Sequence, residues 1–418
     1  MEIVGIDWAW EKHTCYLLSE KRTLKIEDTV NGYEKLIKLA GDAVFVIEDP
    51  NTRIGNYLLG KGKVVYFLSP ARSKKAVGYH SNFGKSDKQD ARSLALTFKE
   101  HSEYCHKLKH DEYGLELKEL FNLYGAIGDI IQQSLSRLTD QLHRCWPEYL
   151  AIMGGCTSKL NVQFIIALSD KLNSLSEVSV SQVRELMKEI GARPDRKFLK
   201  KVARLLDTDY LPISEYRAEH IAKLASDIVE LGVRHKKLEK TMKEKLRQSP
   251  YKDILSIPGI GTINGMALVV AFTTYSFTSY RELQQYAGTV PVTSQSGSSR
   301  YVKLRRNCNH YLRSLLHMAA MSLKRKSFWA KVVYKKKRKQ GCSHNLALRE
   351  LANTLVKISF AVMKNLEPYN EEKFLSSHPK INPHQRLQTQ TMQREILPDI
   401  SQPEVIHSTY CQVLESPG

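Results

Sequence analysis

Four acids in the first hundred residues are of a type and placement that could do phosphoryl chemistry. Asp87 and Asp90 lie three apart in "GKSDKQDARSLA", at the start of a predicted helix, so both point from one face of it. An acidic first turn alone needs only the positive end of the helix dipole to explain it. Two further acids alter that balance. Asp7 ends the predicted strand "EIVGIDWA" and Glu48 ends "AVFVIED", and strand ends of an α/β sheet are where ligands gather. Four converging carboxylates repel one another unless a cation neutralises them, and all-oxygen donors suit Mg²⁺ or Mn²⁺. Such an ion assists attack at phosphorus. Asp49 adds a fifth acid, which strand alternation aims at the opposite face, as a bystander.

A second set of residues points to the polymer acted upon. The chain has 418 residues, 63 Lys and Arg against 44 Asp and Glu, and a formal net charge of +19, which calls for a polyanionic partner. From Leu283 to Arg349 there are 15 Lys and Arg and no acid. Within that stretch "RYVKLRRNCNHYLR" and "LKRKSFWAKVVYKKKRKQG" interleave cations with aromatics, a pattern for phosphate contacts plus base stacking. The candidate contacts are Arg300, Lys303, Arg305, Arg306, Lys324, Arg325, Lys326, Lys335, Lys336, Lys337 and Arg338. Gly259 and Gly261 join them from "IPGIGTINGMALV", which reads as a helix-hairpin-helix turn whose amides can hold a phosphate. "VTSQSGSSRYVK" gathers Ser294, Ser296, Ser298 and Ser299 around Gly297. By its residues alone this is a loop, and a serine there becomes a nucleophile only with activation from metal or cationic neighbours.

The elements that must position these residues follow from the apolar pattern. Three strand signals, then helix, strand, helix, strand and helix, is the order of a ribonuclease-H-like α/β domain over residues 1–110. Residues 111–248 read as two long amphipathic helices with a small helical insert, an antiparallel coiled-coil arm. Residues 249–370 form a mainly helical third domain, and 371–418 a polar, disordered tail. The fold class is α/β plus α. No apolar run has the length of a membrane span and the N-terminus lacks a signal peptide, so the expected location is the cytoplasm or a bacterial nucleoid. Seven scattered cysteines indicate a reducing compartment. His101, Cys105, His106 and His110 match no strong zinc spacing.

Taken together, "GIDWAWEK", "VIED", "KSDKQDARSLA", "SIPGIG" and "SQSGSS" resemble the DEDD transposases of insertion sequences, relatives of the Piv-type DNA invertases. Some members of that family are described as bridge-RNA-guided serine recombinases. The resemblance covers about residues 1–370, and its specificity lies in the combination. It implies a RuvC-like first domain, a coiled-coil arm and a C-terminal transposase domain. It further implies a metal-binding catalytic quartet of Asp7, Glu48, Asp87 and Asp90, and a nucleophilic serine aligned with Ser296. The implied chemistry is strand exchange between donor and target DNA through a phosphoserine intermediate. A structured noncoding guide RNA, and dimers that assemble into tetramers, are implied as partners. Relatives carry small–Thr–Gly after the glutamate where this chain has "DPNTRIG", and its tail is longer. Two other readings stand beside this one: a RuvC-like junction nuclease using only the carboxylates, and a non-catalytic nucleic-acid-binding protein.

Overall fold

The computed structural model describes residues 1–70, 72–73, 86–209, 211–297 and 299–378. Most of the basic loop after residue 70, Ser298 and the tail from 379 therefore lie outside the described residues.

The first hundred residues build the sheet that their alternation predicts. Strands β1 (Ile3–Asp7), β2 (Lys12–Leu17) and β3 (Arg22–Glu27) are followed by helix α1 (Val30–Ala40), β4 (Val44–Ile47), α2 (Arg53–Gly60), β5 (Val64–Phe67) and α3 (Asp87–Glu100). A short strand β6 (His106–Lys107) closes the edge, giving the order β3-β2-β1-β4-β5-β6. β1, β2 and β3 are antiparallel neighbours, while β4 and β5 run parallel to β1. The α1 and α2 crossovers supply the length that parallel neighbours require. Thr29 caps α1 and Thr52 caps α2, each accepting a backbone N–H from the first turn.

The two faces of the sheet are covered differently. Val4, Ile6, Cys15, Leu17, Phe45 and Ile47 enter one core with Tyr33 and Leu36 of α1 and Ile54 and Leu58 of α2. The alternate residues belong to the other face, where α3 lies: Val44 and Val46 pack with Leu94 and Phe98, and Tyr16 with Ala91 and Ala95.

Helix α4 (Glu112–Cys145) starts from Asp111, whose carboxylate accepts from Gly114 N at 2.8 Å and from the Tyr251 hydroxyl at 2.7 Å. Compactness divides the chain into two units. One contains Met1–Lys118 and the described chain from Lys245 on, and the other is Glu119–Glu244. In the second, α4 meets α9 (Glu215–Gln248) in opposite directions: Tyr124 stacks on His235 at 3.8 Å, and Leu138 and Leu142 share a core with Ile221 and Ala225. That core also takes Trp146, Tyr149, Phe164 and Val183 from the insert of α5 (Pro147–Met153), α6 (Lys159–Ala167), α7 (Val180–Glu189) and α8 (Arg196–Leu206).

The C-terminal part packs directly on the sheet edge. A short 3₁₀ turn (Lys252–Ser256) precedes α10 (Thr262–Thr274) and α11 (Tyr280–Tyr286). Tyr275 bridges to Leu108, and its ring lies 5.8 Å from Phe67 and 4.8 Å from Tyr286. A ribbon of β7 (Val292–Ser296) and β8 (Ser299–Lys303) leads to α12 (His310–Lys326), α13 (Phe328–Lys339), α14 (His344–Asn365) and α15 (Glu371–Ser376). The expected tail from residue 371 thus begins with ordered structure. Asn370 caps α15, and Phe374 packs 5.0 Å from Trp329, a contact that polar composition concealed.

Candidate active site and nucleic-acid interface

The sheet register sets the first two acids side by side. β1 and β4 pair with Ile6 opposite Ile47, so one residue further along each chain stand Asp7 and Glu48. Ile6 and Ile47 both belong to the core under α1 and α2. Alternation therefore assigns Asp7 and Glu48 to the face of α3. Both are half-buried.

Helix α3 brings the other two. Ser86 caps it, its hydroxyl accepting from Gln89 N, and Asp87 and Asp90 fall in its first turn. Gly5 fixes where that turn lies. A Cβ added at Gly5 would come within 2.0 Å of the Ala91 carbonyl oxygen and 2.9 Å of Ala95 N. Helix and strand touch backbone to backbone there, with Asp90 directly before Ala91 and Asp7 two residues beyond Gly5. Gly5→Ala is expected to force α3 outward and cost about 1–3 kcal/mol, the usual range for overpacking. The urea midpoint reads that loss, and an unchanged midpoint contradicts the clamp.

The backbone thus sets Asp7 beside Glu48 and lays the first turn of α3, which carries Asp87 and Asp90, close to the strand that bears Asp7. Among the described residues no three His, Cys, Asp or Glu side chains converge closely enough to hold a metal ion. The donor set, all carboxylate oxygen, is of the chemical type that suits a hard divalent cation.

Two supports of this region escaped the sequence reading. His13 is fully buried on β2; its Nδ1 accepts from Ala9 N at 3.3 Å, so Nε2 carries the proton toward Asp28 Oδ1 at 3.1 Å. Tyr33 donates to the same carboxylate oxygen, and Arg53 lies 3.7 Å from its other oxygen. This network braces the turn that follows Asp7. On the other strand, Lys118 donates to the Pro50 carbonyl at 2.7 Å and holds the loop after Glu48. Asp49 is exposed, its carboxylate accepts from Asn51 N, and its charge is felt at Lys118.

Burial pushes the Lys118 ammonium down to about 8, against the opposing pull of Asp49. The ordinary lysine value is about 10.4. The unfolded chain therefore binds more protons between about pH 8 and 10.4, and this group's contribution to stability rises with pH across that window. Lys118→Met is expected to remove this rise, which urea unfolding at pH 8 and pH 10 measures; an unchanged pH slope refutes it.

The serine segment is a hairpin and not the expected loop. Ser296 pairs with Ser299 at its tip, beside Gly297 at φ 56°, a left-handed turn conformation that glycine takes without strain. Val292 and Thr293 on one arm and Tyr301 and Val302 on the other are residue types that favour a strand ribbon over a loop. At the hairpin's base, Arg305 shares a cleft with Arg72, Ser69 and His106. Arg305 Nε and Ser69 Oγ have no hydrogen-bond partner there. Burial and the charge of Arg72 push His106 down to about 4, so it is neutral near pH 7.

The basic helices only partly match their predicted surface. Lys331, Lys335, Lys336, Arg338 and Lys339 are exposed on α13, and Arg325 and Lys326 end α12 exposed. Lys324 lies 4.3 Å over the Tyr334 ring, and Lys337 pairs with Glu350 at 2.7 Å. Lys303 and Arg306 are exposed near the hairpin. Trp329, though, is 1 % exposed and bonded to the Tyr369 hydroxyl, so it belongs to the core and offers no stacking face. Gly259 also departs from expectation. At φ 94° it abuts α12, where a Cβ would meet Leu323 N at 2.6 Å, so helix packing by itself requires glycine here. Only a 3₁₀ turn stands where the first helix of a hairpin motif was expected. Gly261 caps α10 with open space around it.

An antiparallel-then-parallel sheet with acids at the ends of β1 and β4, and a helix bearing two more, is consistent with an RNase H-like α/β domain. Comparison narrows the class. A DEDD transposase family of IS110 matches residues 4–149, and the Transposase IS116/IS110/IS902 family matches residues 251–335. The chain is 24% identical over 398 residues to a Streptomyces coelicolor protein assigned by name as the mini-circle transposase for IS117, covering 88% of this chain and 95% of that one. It is 21% identical to the 43.6 kDa protein of insertion element IS110 from the same organism, covering 80% and 84%. Against the 44.8 kDa protein of insertion element IS116 from Streptomyces clavuligerus it is 24% identical, covering 74% and 78%. The chain belongs to the IS110/IS116 family of DEDD transposases, enzymes that cut and join DNA.

Proposed function

We propose that this chain moves its own insertion sequence by transesterification, with Asp7, Glu48, Asp87 and Asp90 as the carboxylate site and Ser296 as the nucleophile. The observation that carries the reading is the Asp7–Glu48 alignment beneath the α3 turn clamped at Gly5. The four carboxylates would hold Mg²⁺, or Mn²⁺ in its place. Bound there, a divalent ion supplies Lewis acidity and neutralises charge at phosphorus.

The serine hydroxyl attacks a DNA phosphorus; a serine–phosphate bond forms, a sugar–oxygen bond to phosphorus breaks, and the departing sugar oxygen takes up a proton. Attack by the hydroxyl of the second strand reverses these steps and frees Ser296. Arg300 follows the tip on β8, Lys303 ends that strand at the ribbon's base, and Arg305 and Arg306 come just after it; these cations would offset the charge developing on the phosphate. The cations of α12 and α13 grip backbone phosphates of donor and target. A structured RNA from the element would pair with both DNAs and supply the sequence choice that phosphate contacts lack. Assembly as dimers and then tetramers would let one subunit's serine serve another's carboxylates. A DNA substrate places the enzyme in the cytoplasm or nucleoid, and none of the described helices is long and apolar enough to cross a membrane.

The test mixes purified protein with labelled element-end DNA, target DNA and a transcript of the element's flanks. A covalent protein–DNA adduct mapping to Ser296, with joined product only when the transcript is present, is the expected outcome. Nicked DNA with no adduct identifies a carboxylate-only junction nuclease instead. Binding without any cleavage identifies a non-catalytic nucleic-acid-binding protein.

A further inference from the structure

Two tryptophans stand exposed immediately after Asp7. Trp8 is 39 % and Trp10 84 % exposed, with ring centroids 5.4 Å apart and planes tilted by 54°. They sit on the turn between β1 and β2, which is held in place. Ala9 N donates to buried His13, and Asp28 N donates to the Glu11 carbonyl at 3.1 Å. Trp8 backs Trp10 on one side and leaves the larger part of the Trp10 indole open. Exposed aromatic surface of this kind marks a contact site, and its neighbours indicate the occupant. Asp7 is one residue from Trp8, and the chain's +19 charge favours a polyanion. The turn that carries the rings continues directly from the strand end that bears Asp7.

We propose that Trp8 and Trp10 form a stacking platform for an unpaired base of the DNA strand bound at the carboxylate site. The proposal rests on the reading of Asp7, Glu48, Asp87 and Asp90 as that site, and it adds a requirement that the base beside the reacting phosphate leave the duplex. Stacking on indole tolerates any base, because each has a π face. The platform therefore contributes affinity and placement without sequence choice.

The molecule carries its own reporter. It has four tryptophans, and the other two, Trp146 and Trp329, are each 1 % exposed. In buffer with EDTA and no divalent ion, a short oligo(dT) is expected to quench the acrylamide-accessible fluorescence of the full chain. Trp10→Ala should weaken binding of labelled oligo(dT) about tenfold, the effect of losing one stacked base. Trp10→Phe should retain most of the affinity, and blunt duplex DNA should bind both variants within about twofold of wild type. Three results would overturn the platform: oligo(dT) binding without quenching, an equal loss for duplex and single strand, or quenching by oligo(rU) alone. A fourth is a shift in sedimentation with DNA affinity unchanged in Trp10→Ala, which would assign the pair to a protein interface. The assay contains no metal and no cleavage, so its result is separate from that of the carboxylate site. If Asp7→Asn keeps full cleavage activity while quenching persists, the catalytic reading fails and the platform stands as a base-binding site.

Discussion

Ser296→Ala is expected to abolish the protein–DNA adduct and reduce strand exchange by roughly a thousandfold or more, as removal of a nucleophile does elsewhere. The change is small in every other respect. Ser296 ends β7 at the tip of a two-stranded ribbon, opposite Ser299, and loss of one hydroxyl at such a tip should shift stability by no more than about 0.5 kcal/mol. DNA affinity, set by the cations of α12 and α13, should hold. Ser299→Ala makes the matched control, since it alters the paired position on the other arm and should keep the adduct. Persistence of adduct and joined product in Ser296→Ala, measured on denaturing gels, removes this serine from the mechanism. Hydrolytic nicking that survives while joining is lost would show the carboxylates acting on water in its place.

How far the sequence reveals this machinery depends on the kind of signal each part leaves. β1, β4 and β5 were legible as short apolar runs, because helices bury both faces of the sheet there, and the acids at the ends of β1 and β4 could be placed from where those runs stop. β6 was not, since two residues have no period, and His106 there looked like part of a histidine cluster. Its role is an edge-strand contact beside Tyr275 and Tyr286. α4 and α9 were legible because 34 residues hold many turns of amphipathic spacing, whereas α5 and α6 of the insert are too short and too evenly apolar to announce a face.

The candidate site divides along the same line. Residues whose chemistry is unusual for their place, such as acids at strand ends in a basic chain, stand out by type. Residues that act through contacts do not. His13 occupies an ordinary strand position and Lys118 an ordinary helix position; only burial reveals that one braces the turn after Asp7 and the other the loop after Glu48. Composition also overstates. Trp329 and Gly259 fitted a stacking and a phosphate-cradling pattern, but long-range packing, on Tyr369 and on α12, uses them inside the fold. Trp10 shows the reverse: the same residue type outside that pattern is the one left open to solvent.

Asp7→Asn carries the second large effect. The amide keeps the shape of the side chain and its place at the end of β1, so the sheet should unfold within about 0.5 kcal/mol of wild type. It replaces a charged hard ligand with a weaker neutral one. Divalent-ion affinity should fall, and strand cleavage by roughly a thousandfold, whichever nucleophile attacks. DNA binding without metal should hold or rise slightly, because one of four negative charges facing the phosphate is gone. Asp90→Asn should behave in the same way, since the Gly5–Ala91 contact holds its turn against the strand that carries Asp7. Asp49→Asn is the counter-test, an adjacent acid bonded to its own loop at Asn51 N, and it should leave cleavage within a few-fold. The informative measurement is the pair of titrations, cleavage against Mg²⁺ and against Mn²⁺, for wild type, Asp7→Asn and Asp90→Asn. Parallel loss in both variants supports one shared metal site. Normal recombination by Asp90→Asn would leave its place in the first turn to the helix dipole alone, and the three-residue spacing from Asp87 would carry no chemistry.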